Sequence, residues 1–252
     1  MNTLPEFSII WYPSTRGIAY LNILRDIGAR PQSVITLENN RNKADKFTFQ
    51  RAIKAQNPEF DINYQLDNYL TDFPSPVFHS LATSINDPTV SQLLHSQGAV
   101  TWLFTGGGIL RPHLFQCGAR YLHVHPGDLP NFRGSTCFYY SLLKSNTLNA
   151  SAFFLKPELD SGDVICKRTF QLNFPATNDA ALFMDHIVDP WIRALTLKTA
   201  FENGLHNTSP VENIEAGPRP YYVMHPVLRS LTVLKQLQVG NPCEPSGIRA
   251  DV

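Results

Sequence analysis

Short apolar runs recur along most of the chain, and stretches with helical spacing separate them. "FSIIWYP", residues Phe7 to Pro13, reads as a strand. In "TRGIAYLNILRDIGA" the apolar residues Ile18, Leu21, Leu24 and Ile27 fall at helical spacing, and Gly28 marks the stop. "PQSVITLE" reads as a second strand, so the opening predicts a right-handed crossover within a parallel sheet. Residues Asn39 to Ser75 are polar and irregular, with a helix expected over Lys46 to Lys54. "PVFHSL", Pro76 to Leu81, reads as a third strand. "DPTVSQLLHSQG" reads as a helix with Pro88 in its first turn and Gly98 at its end.

"AVTWLFTGGGIL" is a buried strand running into Gly106 to Gly108. "RPHLFQCG" reads as a short helix, "RYLHVHPG" as a strand, and "STCFYYSLLKSN" as a helix capped by Ser135 or Thr136. "ASAFFLK" and "DVICKRTFQL" are two strands flanking the loop "PELDSG", and a long helix is expected from about Asn178 to Asn203. "HNTSPVENIEAGPRPYYVMHP" is loop-rich, and "VLRSLTVLKQLQ" reads as a terminal helix. The pattern predicts the α/β class, with an open, mostly parallel, Rossmann-like sheet over residues 1–204 and a short C-terminal extension over 205–252. Ligands of such sheets bind beyond the carboxyl ends of the strands. The triple glycine, "HPGDLP" and the loop carrying Asp160 all lie at such ends.

The 252 residues suffice for one large domain with a sizeable core. Twenty-one basic and 21 acidic residues give a formal net charge of zero. That balance argues against nucleic-acid or membrane binding by bulk electrostatics. The start "MNTLPEFSII" lacks the basic residues and apolar run of a signal peptide, and no stretch approaches the ~20 apolar residues of a membrane span. Cys117, Cys137, Cys166 and Cys243 form no CxxC pair, which predicts reduced thiols in a cytoplasmic protein.

The candidate chemistry centres on "LHVHPGDLPNFRG". His123 and His125 project to one face of a strand that Pro126 and Gly127 stop at once. Two imidazoles placed so can hold a metal, carry protons near neutral pH, or fill space. In "LDSGD", Asp160 either caps its own turn or orients a neighbouring imidazole for proton transfer. "TGGGIL" is neither GxGxxG nor a P-loop, but its glycines permit close approach of a flat ligand to the main chain. Arg133-Gly134 either gathers an anion or braces its loop.

Taken in order, "GGGILRPHLF", "HVHPGDLPNFRGSTCFYYSLL" and "LDSGDVI" resemble the core of the formyltransferases that use 10-formyltetrahydrofolate, over roughly Phe7 to Leu172. That family includes methionyl-tRNA, glycinamide ribonucleotide and sugar N-formyltransferases. The resemblance implies the formyltransferase fold and transfer of a formyl group to a primary amine without a metal. It places His125 and Asp160 in catalytic roles. It places Gly107, Gly108, Ile109 and Leu110, with Asp163 in the opposite loop, around the folate, and Asp128, Asn131, Arg133 and Gly134 on the acceptor side.

At His123 the family keeps an asparagine, whose amide donates to the developing oxyanion, a contact worth several kcal/mol in such sites. The resemblance therefore implies that His123 replaces that amide as donor, or that activity is lost or altered. The zero net charge and short tail argue against a tRNA acceptor, so an amino sugar, free or nucleotide-linked, is the expected partner. Other readings are a 10-formyltetrahydrofolate hydrolase, a degenerate binding protein, and a metal-dependent hydrolase on His123, His125 and Asp160. The apolar tail "YYVMHPVLRSLTVL" suits packing on the core or on a second copy in a homodimer.

Overall fold

The computed structural model describes residues 4–38, 60–98, 101–173, 183–206, 208–209, 219–239 and 247–250. The helix expected over Lys46 to Lys54, the start of the one expected from Asn178, and Cys243 lie outside them.

Among the described residues, eight strands form one sheet in the order β3-β2-β1-β4-β5-β6-β7-β8. They are β1 (Ser8–Trp11), β2 (Val34–Thr36), β3 (Val77–His79), β4 (Thr101–Phe104), β5 (Arg120–His125), β6 (Leu148–Phe154), β7 (Val164–Asn173) and β8 (Gly247–Ala250). The first five pair in parallel, as the βα repeats predict. The last three continue the sheet as antiparallel neighbours. Strand β8, which the loop-rich tail did not suggest, pairs with β7, so chain beyond residue 204 is part of the same sheet.

Helix α1 (Thr15–Asp26) starts where the Ser14 hydroxyl accepts from the Gly17 N–H, and Gly28 at φ 67° follows its end. Its apolar stripe packs on α5 (Asp189–Glu202), which lies against β5, β6 and β7. Helix α3 (Pro88–Gln97) is capped by Asp87 and ended by Gly98 at φ 62°. Strand β1 is buried on both faces: Ile9 joins the core under α1 and α5, and Ile10 the core that holds Val90 and Leu94 of α3. Continuous apolar strands of this kind belong to sheets covered on both sides.

Two local expectations change. The polar stretch Asn39 to Ser75 contains a short helix, α2 (Leu66–Asp72), which starts at a Gln65–Asn68 capping box and buries Tyr69 against the core. Helix α4 (Cys137–Ser145) does follow Thr136, but Thr136 sits at φ 53° and does not cap it. Its hydroxyl instead donates to the Ser135 carbonyl and accepts the Met224 N–H, because the C-terminal segment docks there. Helix α6 (Pro226–Val239) lies against α4, with the Gln236 amide donating to Asn146 and Arg229 paired with Asp185. No helix among the described residues is long and apolar enough to cross a membrane.

Candidate active site

The parallel order 3-2-1-4-5 reverses direction between β1 and β4, and open α/β sheets place their ligand crevice at such a point. A cavity of about 680 Å³ opens there. Its walls are Tyr12 and Arg16 beyond β1, Glu38 beyond β2, Ser84 and Asn86 beyond β3, and Gly106 to Ile109 beyond β4. That volume is in the range of small-molecule sites. The Gly106 carbonyl accepts from Arg16 at 2.6 Å, and Gly108 adopts φ 100°. Asn86 clamps the loop by donating to the Ile109 carbonyl and accepting the Arg111 N–H.

Beside the cavity, β5 carries both histidines to its carboxyl end with their rings on one face, as strand alternation requires. Phe153 of β6 stands edge-on to both, with ring centroids 6.1 Å from His123 and 6.4 Å from His125. Behind the strand, Arg193 of α5 donates to the Val124 carbonyl at 2.9 Å and to Asp189 at 2.8 Å, bracing β5 from the helix layer. Burial alone would lower the Arg193 pKa, but Asp189, Tyr20 and Cys137 together raise it above the ordinary value, so the guanidinium stays charged.

His125 is 3% exposed. Its Nε2 lies 2.7 Å from the Phe132 carbonyl oxygen, which can only accept, so Nε2 carries a proton. Its Nδ1 faces Asp160 Oδ2 at 3.6 Å. Asp160 in turn accepts the Gly134 N–H at 2.7 Å and sits at φ 48°, a left-handed conformation that Asp tolerates better than most residues. Burial holds the His125 pKa below its ordinary value, against the opposite pull of the Asp160 carboxylate. A proton arriving at Nδ1 would therefore sit between the ring and its counter-charge.

Two glycines make this approach possible. A Cβ on Gly162 would lie 1.4 Å from the Phe154 carbonyl oxygen, so only glycine lets the "LDSG" turn fold back on β6 and present Asp160. A Cβ on Gly127 would lie 2.7 Å from the Phe132 oxygen and 3.0 Å from His125 Nε2, across the bond those two atoms make. The close approach of backbones rather than a special φ explains both.

His123 turns Nδ1 to the Phe104 carbonyl of β4 at 3.3 Å and is 9% exposed. Its pKa is pushed well below the ordinary value, first by burial and then by the positive charges of Arg16 and Arg193. Arg16 belongs to both regions, since it lines the cavity as well. Its Nε is buried with no hydrogen-bond partner among the described residues. Burial and then Arg193 lower its pKa to about 10.

The remaining candidates are spread around this centre. Gly107, Gly108 and Ile109 line the cavity, whereas Leu110 is buried in the core beside Leu114. Asp163 pairs with Lys156 at 2.9 Å on an exposed edge. Asp128 accepts from Asn131 at 2.7 Å and from Lys167 at 2.9 Å on the outer side of the turn. Arg133 is buried and its carbonyl accepts the Tyr221 N–H at 2.7 Å, while Gly134 spends its own N–H on Asp160. Arg16 and Arg193 carry no local sequence signal of a site; each enters through contacts with residues far away in the chain. Among the described residues no group of three His, Cys, Asp or Glu side chains is placed to share a metal ion. The described cysteines are free.

Solved structures share this architecture. A sugar N-formyltransferase from a Shewanella species superposes with a TM-score of 0.54 at 10% identity, over 92% of this chain and 88% of that one. A phosphoribosylglycinamide formyltransferase from Bacillus halodurans gives 0.51 at 13% identity, over 83% and 98%. The sugar 3N-formyl transferase WlaRD, studied in the presence of dTDP and 5-N-formyl-THF, gives 0.50 at 12% identity, over 94% and 80%. No protein-family model matches the chain, and no curated protein matches it in sequence. The chain thus has the formyltransferase fold, and at these identities the likeness speaks to the fold alone.

Proposed function

We propose that this protein is an enzyme that transfers a formyl group from 10-formyltetrahydrofolate to a primary amine on a small molecule, with an amino sugar, free or nucleotide-linked, as the acceptor class. One observation carries the reading: a buried His125–Asp160 couple at the strand ends of a formyltransferase fold, next to a cavity at the topological switch point. The cavity suits the folate, because Gly107 and Gly108 offer main-chain groups to a flat ring and Ile109 adds an apolar edge.

The amine attacks the formyl carbon, and the carbonyl electrons move to oxygen. Collapse of that adduct breaks the bond to the folate nitrogen, which leaves with the electron pair and takes a proton. Asp160 and His125 Nδ1 face each other with room for one proton, which they take up from solvent during the cycle and pass on to that nitrogen. The amine proton must go to a second base.

The test is product analysis with 10-formyltetrahydrofolate and a panel of amino sugars and other amines, each beside a reaction without amine. N-formyl product is expected from wild type. For His125→Ala or Asp160→Asn, kcat is expected to fall by roughly 10²-fold or more. Formate release that is independent of amine would identify a hydrolase instead, and full activity of His125→Ala would overturn the assignment.

A further inference from the structure

The two imidazoles have four ring nitrogens, and three of them are turned into the protein. His125 Nε2 donates to Phe132, His125 Nδ1 faces Asp160, and His123 Nδ1 meets the Phe104 carbonyl. A carbonyl oxygen only accepts, so the proton of a neutral His123 resides on Nδ1, and Nε2 keeps a bare lone pair. Nε2 has no hydrogen-bond partner among the described residues, yet it is not sealed from solvent.

We infer that His123 is the base that takes the acceptor's proton: fixed by the Phe104 carbonyl, it presents an open Nε2 lone pair where the resembled family presents an amide donor. This deepens the proposed formyl transfer and rests on it for the identity of the reaction. Attack by the amine leaves its nitrogen positively charged. Nε2 accepts one N–H proton, the N–H bonding pair returns to nitrogen, and His123 becomes an imidazolium with both nitrogens protonated. The new amide nitrogen is neutral before the carbon–nitrogen bond to the folate breaks. An asparagine cannot do this, because its amide nitrogen has no basic lone pair.

The surroundings fit a base more than a standing cation. Arg16 from α1 and Arg193 from α5 bring positive charge to the ring, and His125 is its titratable neighbour on β5. From β4 only the Phe104 carbonyl stabilises the protonated form, and from β6 the ring meets Phe153. The imidazolium is thus disfavoured at rest, and the proton it gains is readily released after transfer.

Two measurements on the full chain separate this inference from the reaction it rests on. Long-range proton–nitrogen NMR of wild type, with His123→Asn for assignment, is expected to show His123 protonated at Nδ1 and bare at Nε2. A ring protonated at Nε2 would overturn the inference and leave the transfer reaction standing. The second measurement is kcat against pH for wild type, His123→Asn and His123→Gln with an active amine. A base predicts a roughly 10²-fold loss of kcat in both variants and disappearance of the acid limb that belongs to the imidazole. Asparagine at wild-type rate with an unchanged profile would overturn it, since that is what an oxyanion donor requires. An Nδ1-protonated ring in a protein that formylates no amine would support the assigned lone pair and count against the formyltransferase reading.

Discussion

His123 and His125 stand two residues apart on the same face of one strand, yet their surroundings differ in kind. His125 is enclosed by a turn and a loop from the antiparallel side of the sheet: Phe132 takes one nitrogen and Asp160 faces the other. His123 is held by the parallel side, against β4 and under the charge of Arg16. The first imidazole has an acid partner, and the second has a carbonyl and two cations for company. What distinguishes them is which neighbouring backbone each ring meets, not their shared strand.

The sharpest way to break this contrast is to displace the loop that supplies Asp160. Gly162→Ala forces a Cβ into the Phe154 carbonyl, so a loss of about 3 kcal/mol in urea denaturation is expected, with His125 losing its partner. Wild-type stability and activity in that variant would mean the turn does not fold back on β6. Gly127→Ala acts on the His125 side alone, where the added methyl crowds the Phe132 oxygen and the ring. A cost of about 1–3 kcal/mol is expected, with a changed Nε2 proton signal for His125 and an unchanged His123. Matching shifts in both rings would show the two surroundings to be one.

A smaller effect concerns pH. Both rings are held below the ordinary histidine value of 6.5, so folding opposes protonation that the unfolded chain accepts freely. Stability from these groups is therefore full above about pH 6.5 and is lost as pH falls from there through the depressed folded values. Denaturation midpoints should fall between neutral pH and about pH 5.5, and His123→Asn should flatten that slope. A slope identical in the variant would assign the whole effect to other groups. The smallest change is expected from Arg16→Met, which removes one of the cations near His123. The His123 pKa should rise while that of His125 stays, read by NMR titration; no movement of His123 would place Arg16 outside its field.

Much of the frame was readable in advance because it is local. The spacing of Ile18, Leu21 and Leu24, the Asp87 cap and the stops at Gly28 and Gly98 each act within a turn or two of chain. Helix α2 escaped notice because its seven residues carry few apolar positions, and it is held by contacts such as the Tyr69 hydroxyl donating to the Ala29 carbonyl. Strand β8 escaped because an edge strand of four residues is defined by its partner, β7. Likewise Thr136 sits where a cap is expected but is claimed by Met224, distant in the chain.

The sequence by itself determined the strand–helix order, the arrival of two histidines on one face at a strand end, and the glycines that allow Asp160 and Phe132 to come close. These follow from periodicity and from steric room, which are properties of neighbouring residues. Only the tertiary structure decided which nitrogen of each imidazole carries the proton. That choice is made by Phe104, Phe132 and Asp160, brought together from β4 and from the loops that follow β5 and β6, and no local pattern encodes which carbonyl a ring will meet.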